Sequence, residues 1–152
     1  MNDEYYMNLA IEQAKKAFKA DEVPVGAIIV DKENNIIGHG YNCPISSNDT
    51  TSHAEINAIR MACKKLHNYR LIDTILYVTI EPCIMCFGAI IHARIKRVVF
   101  GTKNLKQSLV ISLFELFENK GLNCYPQIVS GICASETKKI IKDFFLDKRS
   151  KL

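Results

Sequence analysis

Apolar residues recur at helical spacing through the first twenty positions, and the pattern predicts an amphipathic helix over 3–20. Tyr6, Leu9, Ala10, Ala14, Ala17 and Phe18 mark its inner side. The period then changes. Val25-Gly26-Ala27-Ile28-Ile29-Val30 is an unbroken apolar run, the mark of a buried strand. Residues 31–35 carry turn chemistry, and 36–41 returns as a second strand to make a hairpin. The stretch 42–52 is rich in Ser, Asn, Asp and Thr and is expected to be a loop.

Helices and strands alternate from there. A helix is predicted over 53–65, where Ala54, Ala58, Ile59 and Ala62 share one face, followed by a strand over 75–78. Pro82 suits the opening of a helix over 83–92, because its missing N–H is no loss there. A strand at 97–100, a helix at 109–118, a strand at 127–130 and a helix at 136–148 complete the chain. An opening hairpin followed by such alternation implies a three-layer α/β/α sandwich on a five-stranded mixed sheet. With no internal repeat, linker or low-complexity segment, a single domain over 1–152 is expected.

Composition narrows the setting. No apolar run approaches the roughly 20 residues that cross a bilayer, so no membrane association is expected. The start, Met1-Asn2-Asp3-Glu4-Tyr5, is too acidic for a signal or transit peptide, which points to the cytoplasm. In that reducing setting six cysteines read as thiols or metal ligands rather than disulfides. Cys43, Cys63, Cys124 and Cys133 are scattered; only Cys83 and Cys86 are closely paired. The net charge of +4 is modest, but residues 138–152 alone carry six basic side chains against two acidic ones. That tail is either a solvated helix face or a contact for phosphates.

The chemistry concentrates in two short segments. His53-Ala54-Glu55 is followed, 26 residues on, by Pro82-Cys83-Ile84-Met85-Cys86, which is the H-x-E…P-C-x-x-C signature of zinc deaminases. One imidazole and two thiolates give zinc three ligands and leave its fourth tetrahedral position open, as catalysis requires. Both cysteines fall on the first turn of a helix, whose N-terminus favours thiolates. Glu55 lies beside the metal without needing to ligate it, and is the candidate proton shuttle. One zinc per chain is expected. A structural site with Cys43, Cys63 or Cys124 as fourth ligand is the alternative. His39, His67 and His92 have no comparable partners and read as structural or surface residues.

Beyond that motif the chain resembles the bacterial tRNA adenosine deaminase family nearly end to end. Glu22-Val23-Pro24-Val25-Gly26-Ala27, Gly40-Tyr41-Asn42, Ser52-His53-Ala54-Glu55-Ile56, Glu81-Pro82-Cys83-Ile84-Met85-Cys86, Arg97-Val98-Val99-Phe100-Gly101 and Lys142-Asp143-Phe144-Phe145 carry the likeness. The resemblance implies a cytidine deaminase-like fold and hydrolysis of adenosine to inosine at the wobble position of a tRNA anticodon stem-loop, by a homodimer. It further implies that Asn42 hydrogen-bonds the flipped base and that the Ala54 backbone N–H holds a ring acceptor or developing charge. One of Phe144 and Phe145 is expected in the core. The other, taken as Phe145, would stack on an anticodon base while Arg149 meets phosphate. The likeness thins over 102–112, where Asn104 stands for an acid and glycines are absent, and at Thr50 and Asn123-Cys124. Two other functions share parts of this pattern. A deaminase of a free base or nucleoside (guanine, cytosine or cytidine) needs the metal site but no basic tail. A zinc-stabilised interaction module needs neither Glu55 nor an open metal position.

Overall fold

The computed structural model describes residues 2–104 and 125–151. Its elements, in chain order, are α1 (Asp3–Lys19), β1 (Gly26–Val30), β2 (Ile36–Tyr41), α2 (Pro44–Ser47), α3 (Ala54–Leu66), β3 (Ile75–Ile80), α4 (Ile84–Ala93), β4 (Arg97–Thr102), β5 (Gln127–Val129) and α5 (Ala134–Ser150). The helix expected over 109–118 lies outside the described residues.

The five strands form one mixed sheet in the order β2-β1-β3-β4-β5. β1 is antiparallel to both β2 and β3, whereas β4 runs parallel to β3 and β5 parallel to β4. β1 is therefore the one reversed strand, and β2, β3, β4 and β5 all point the same way. Its alternate side chains serve two cores. Ala27 and Ile29 pack with α3 and α4 residues Ala54, Ala58, Ala62 and Ile90, while Ile28 and Val30 face Tyr6, Met7 and Ala10 of α1. Apolar cover on both faces is why the strand reads as a continuous hydrophobic run, and it yields the expected three layers. α5 lies against β4, β3 and α1.

Local chemistry explains most element ends. Asn2 caps α1 by accepting the Tyr5 N–H at 3.0 Å, with Asp3 and Glu4 in the first turn and Lys16 and Lys19 in the last, matched to the helix dipole. Gly26 opens β1 because a Cβ there would collide with the Ala10 carbonyl and Ala14 of α1. α1 is tied to the sheet by Arg97, which grips both Asp3 carboxylate oxygens at 2.7 and 2.8 Å, and by the Tyr77 hydroxyl, which donates to Asp3 at 2.9 Å.

Several elements depart from the sequence expectation, and β3 and β4 are extended by contacts distant in sequence. β3 runs on through Thr79 and Ile80, because the Thr79 hydroxyl accepts the Gly26 N–H at 3.1 Å. β4 continues to Thr102, whose N–H donates to the Thr137 hydroxyl at 3.0 Å and whose carbonyl accepts from Glu81 at 2.9 Å. The polar segment expected as pure loop contains α2. α4 starts at Ile84 rather than Cys83; Cys83 is its extended N-cap, and Pro82 stands one residue outside.

Candidate metal centre and proton shuttle

Strand direction brings the two motif segments together. β2 and β3 point the same way, so the helices that follow them, α3 and α4, start at the same edge of the sheet. Ligand sites in open α/β sheets gather at this carboxyl edge of the strands. His53 is the N-cap of α3 and Cys83 the N-cap of α4, both in extended conformation, and Cys86 lies in the first turn of α4.

His53, Cys83 and Cys86 form the metal-competent cluster among the described residues, with all ligand atoms within 4.8 Å of one another. His53 Nδ1 lies 3.6 Å from Cys83 Sγ and 3.5 Å from Cys86 Sγ. Ordinary zinc–nitrogen and zinc–sulfur bond lengths at a tetrahedral angle require an N···S edge of about 3.6 Å. The donor set and its spacing thus fit zinc. Of the fourth-ligand candidates, neither Cys43 nor Cys63 joins the cluster. Cys43 Sγ instead faces Ser52 Oγ at 3.2 Å and Cys63 Sγ faces the Tyr69 carbonyl at 3.7 Å, while Cys124 lies outside the described residues. His39, His67 and His92 are exposed and apart from it.

The electrostatics of the cluster follow from its contacts. Cys83 is pulled down to about 4, chiefly by the hydrogen bond from the Cys86 thiol and then by His53, against the cost of burial. Cys86 moves the opposite way, because its proton is shared with the Cys83 thiolate and it is fully buried. The bond to Cys83 raises His53. A divalent cation among these groups would take the place of the shared proton. Glu55, second residue of α3, is only 3% exposed. Burial lifts its carboxyl above the usual range, opposed by a hydrogen bond from Cys86 and the charge of His53. A carboxyl raised above its ordinary value is better suited to taking up and returning a proton.

The remaining candidates border this cluster to different degrees. Asn42 is buried at the exit of β2, with its N–H on the Val25 carbonyl at 3.0 Å. Ala54 is the first residue of α3, where helix geometry leaves the backbone N–H without a carbonyl one turn back. Phe144 is 4% exposed and packs edge-on against Phe18, whereas Phe145 is 43% exposed, so the inward and outward phenylalanines are those expected. Arg149 is exposed on the last turn of α5. The basic tail is less free than its sequence implies. Lys148 pairs with Asp21 at 2.6 Å and lies over the Phe144 ring, Lys151 pairs with Asp147, and Lys139 with Asp143.

Glu22 and Asn57, neither singled out by sequence, shape the loop between Asn42 and His53. The fully buried Glu22 carboxylate accepts the Ser46 N–H at 2.8 Å, the Ser46 hydroxyl at 2.7 Å and the Ile45 N–H at 3.2 Å. It therefore fixes the first turn of α2. Since Asp21 holds Lys148, the same short segment ties the end of α5 to this loop. A buried-carboxylate role for Glu22 had one sequence signal: an acid three residues ahead of the apolar run that opens at Val25.

The family described as "Cytidine and deoxycytidylate deaminase zinc-binding region" matches residues 1–102. A protein of Haemophilus influenzae named tRNA-specific adenosine deaminase is 46% identical over 147 residues, 97% of this chain and 85% of that one. A solved structure from work on A-to-I editing by tRNA:A34 deaminases superposes with a TM-score of 0.83 at 40% identity, covering 90% of this chain and 98% of that chain. The guanine deaminase of Bacillus subtilis superposes at 0.65 and 38% identity, covering 80% of this chain and 79% of its own.

Proposed function

The chain belongs to the tRNA-specific adenosine deaminases, within the family of the cytidine and deoxycytidylate deaminase zinc-binding region, and on that premise we propose that it hydrolyses adenosine to inosine at the wobble position of a tRNA anticodon. The observation that carries the chemistry is the three-donor cluster of His53, Cys83 and Cys86 with buried Glu55 beside it. The observation that favours tRNA is identity of 46% over nearly the whole chain to a protein so named.

His53 Nδ1 and the two sulfurs would hold one zinc per chain. Bound there, zinc supplies Lewis acidity that brings the pKa of water towards neutrality. Glu55 takes a proton from the attacking water as oxygen adds to C6 of the base, and passes it to N1. It then carries the second proton to the departing amine. Water and adenosine become inosine and ammonia, with Glu55 returned to its starting state. Asn42 orients the flipped base by its amide, and the Ala54 N–H holds a ring acceptor. Phe145 stacks on a neighbouring unpaired base and Arg149 meets a phosphate, so binding is salt-sensitive. The enzyme works as a homodimer in the cytoplasm; no helix among the described residues is long and apolar enough to cross a membrane.

The likeness to the guanine deaminase keeps one second reading in play, a deaminase of a free base. Ammonia release separates the two. Purified protein is expected to deaminate an anticodon stem-loop bearing a wobble adenosine and to leave guanine, cytosine and cytidine untouched. Ammonia from a free base but none from the stem-loop overturns the tRNA assignment while leaving the metal chemistry standing.

A further inference from the structure

Asn57 sits one turn into α3, where its backbone N–H closes onto the His53 carbonyl at 3.0 Å. Its side chain reaches back over the helix N-terminus. Nδ2 donates to the Tyr41 carbonyl at 3.0 Å, and Ser52 Oγ lies 3.1 Å from Nδ2 and 3.2 Å from Oδ1. Cys43 Sγ is 3.5 Å from Nδ2 and 3.2 Å from Ser52 Oγ. The backbone closes the same ring, with the Cys43 N–H on the Ser52 carbonyl at 2.9 Å. One amide thus grips the residues on both sides of Asn42 and the residue preceding His53.

The surrounding packing reserves this place. A Cβ at Gly40 would come within 2.7 Å of Asn57 Cβ and 2.6 Å of the Ala54 carbonyl, so glycine lets β2 approach α3 closely enough for the Tyr41 bond. The neighbouring helix positions that face the sheet, Ala58 and Ala62, are apolar core residues. Cohesion of α3 with the sheet is already supplied by them. An asparagine, a poor helix former, occurs where a polar grip on the loop base is possible.

We propose that Asn57 is a positioning residue that fixes Asn42 relative to His53, and so sets how the substrate base meets the metal cluster. This rests on the reading above, in which Asn42 contacts the base. Asn57 acts through Asn42 and touches no reacting atom. The Tyr41 bond is the essential one, because it holds the residue directly before Asn42.

Three variants separate this role from general stability. Asn57→Leu removes all the polar contacts at similar volume. Asn57→Asp keeps an acceptor for Ser52 but no donor for the Tyr41 carbonyl, and remains informative if the leucine variant fails to fold. Ser52→Ala keeps the Tyr41 bond. Both Asn57 variants are expected to raise KM for an anticodon stem-loop about tenfold, with kcat within about threefold, the scale of one lost hydrogen bond. Ser52→Ala should stay within about twofold in both, since the Tyr41 bond it keeps is the one that matters. Amide hydrogen exchange at Asn42 and Cys43 should accelerate in Asn57→Asp but not in Ser52→Ala, with zinc content unchanged in each. Unchanged KM and exchange in Asn57→Asp, or a loss of kcat and zinc together with thermal stability, overturns the proposal. Should the wild-type protein leave the stem-loop untouched, the tRNA reading fails, and the exchange rates alone then decide whether Asn57 fixes the loop.

Discussion

Glu55 and the three metal donors occupy positions that the sequence marks almost completely, because each motif is local: a His and a Glu two apart, two Cys three apart, each pair at a helix start. The structure brings His53 Nδ1 to 3.6 and 3.5 Å from the Cys83 and Cys86 sulfurs. Glu55→Gln is expected to keep metal and fold while turnover falls at least ~10²–10⁴-fold, the usual cost of losing a positioned proton-transfer group. Retention of a third of the activity, in a steady-state ammonia assay, would transfer the shuttle role to another residue. Cys83→Ala removes one of three donors and should abolish stoichiometric zinc, which metal analysis of the purified variant reads directly. Glu22 and Asn57 were not legible in this way. Each is defined by partners 16 to 24 residues away for Glu22 (Ser46) and Asn57 (Tyr41), and an isolated Glu or Asn carries no period or motif.

At the scale of elements, apolar periodicity located every strand and helix among the described residues except α2, the four-residue turn within a polar segment. That turn exists because Glu22 caps it from a different part of the chain, a tertiary cause that local composition does not contain. α5 shows two adjacent aromatics with opposite duties. Phe144→Ala empties a core position and should cost about 3–5 kcal/mol of stability in thermal or urea unfolding. Phe145→Ala should leave stability within ~0.5 kcal/mol and weaken stem-loop binding by ~1–3 kcal/mol. Equal tRNA affinity in wild type and Phe145→Ala would remove that ring from the binding surface. The α1 clamp gives a pH prediction. The hydrogen bond from Arg97, then that from Tyr77, holds the Asp3 carboxyl below its ordinary value despite burial. A carboxyl lowered in the folded state contributes its stability in full above the unfolded pKa, about 3.9, and loses it as pH falls through that value to the folded one. Asp3→Asn should therefore lower stability by about 1–3 kcal/mol near neutral pH and flatten the acid limb of the stability curve below about pH 4. A variant whose midpoint tracks wild type at pH 7 would show that the clamp contributes nothing.

For the whole molecule, one reversed strand is the decisive feature. Placing β1 antiparallel between β2 and β3 starts α3 and α4 at the same sheet edge, so residues 30 apart in sequence meet in one cluster. The sequence showed an opening hairpin and mixed sheet, but the strand order that makes the helix starts converge came only with the pairing. The same edge receives the end of α5 through Lys148 and Asp21, and leaves Phe145 and Arg149, to which the resemblance assigns the RNA contacts, exposed. The direct test of the central claim is to incubate purified protein with total tRNA and sequence the anticodons. Inosine at the wobble adenosine of one or a few tRNAs, absent with Glu55→Gln, is the predicted result. Unmodified anticodons throughout, alongside ammonia release from guanine or cytidine by the same preparation, would contradict it.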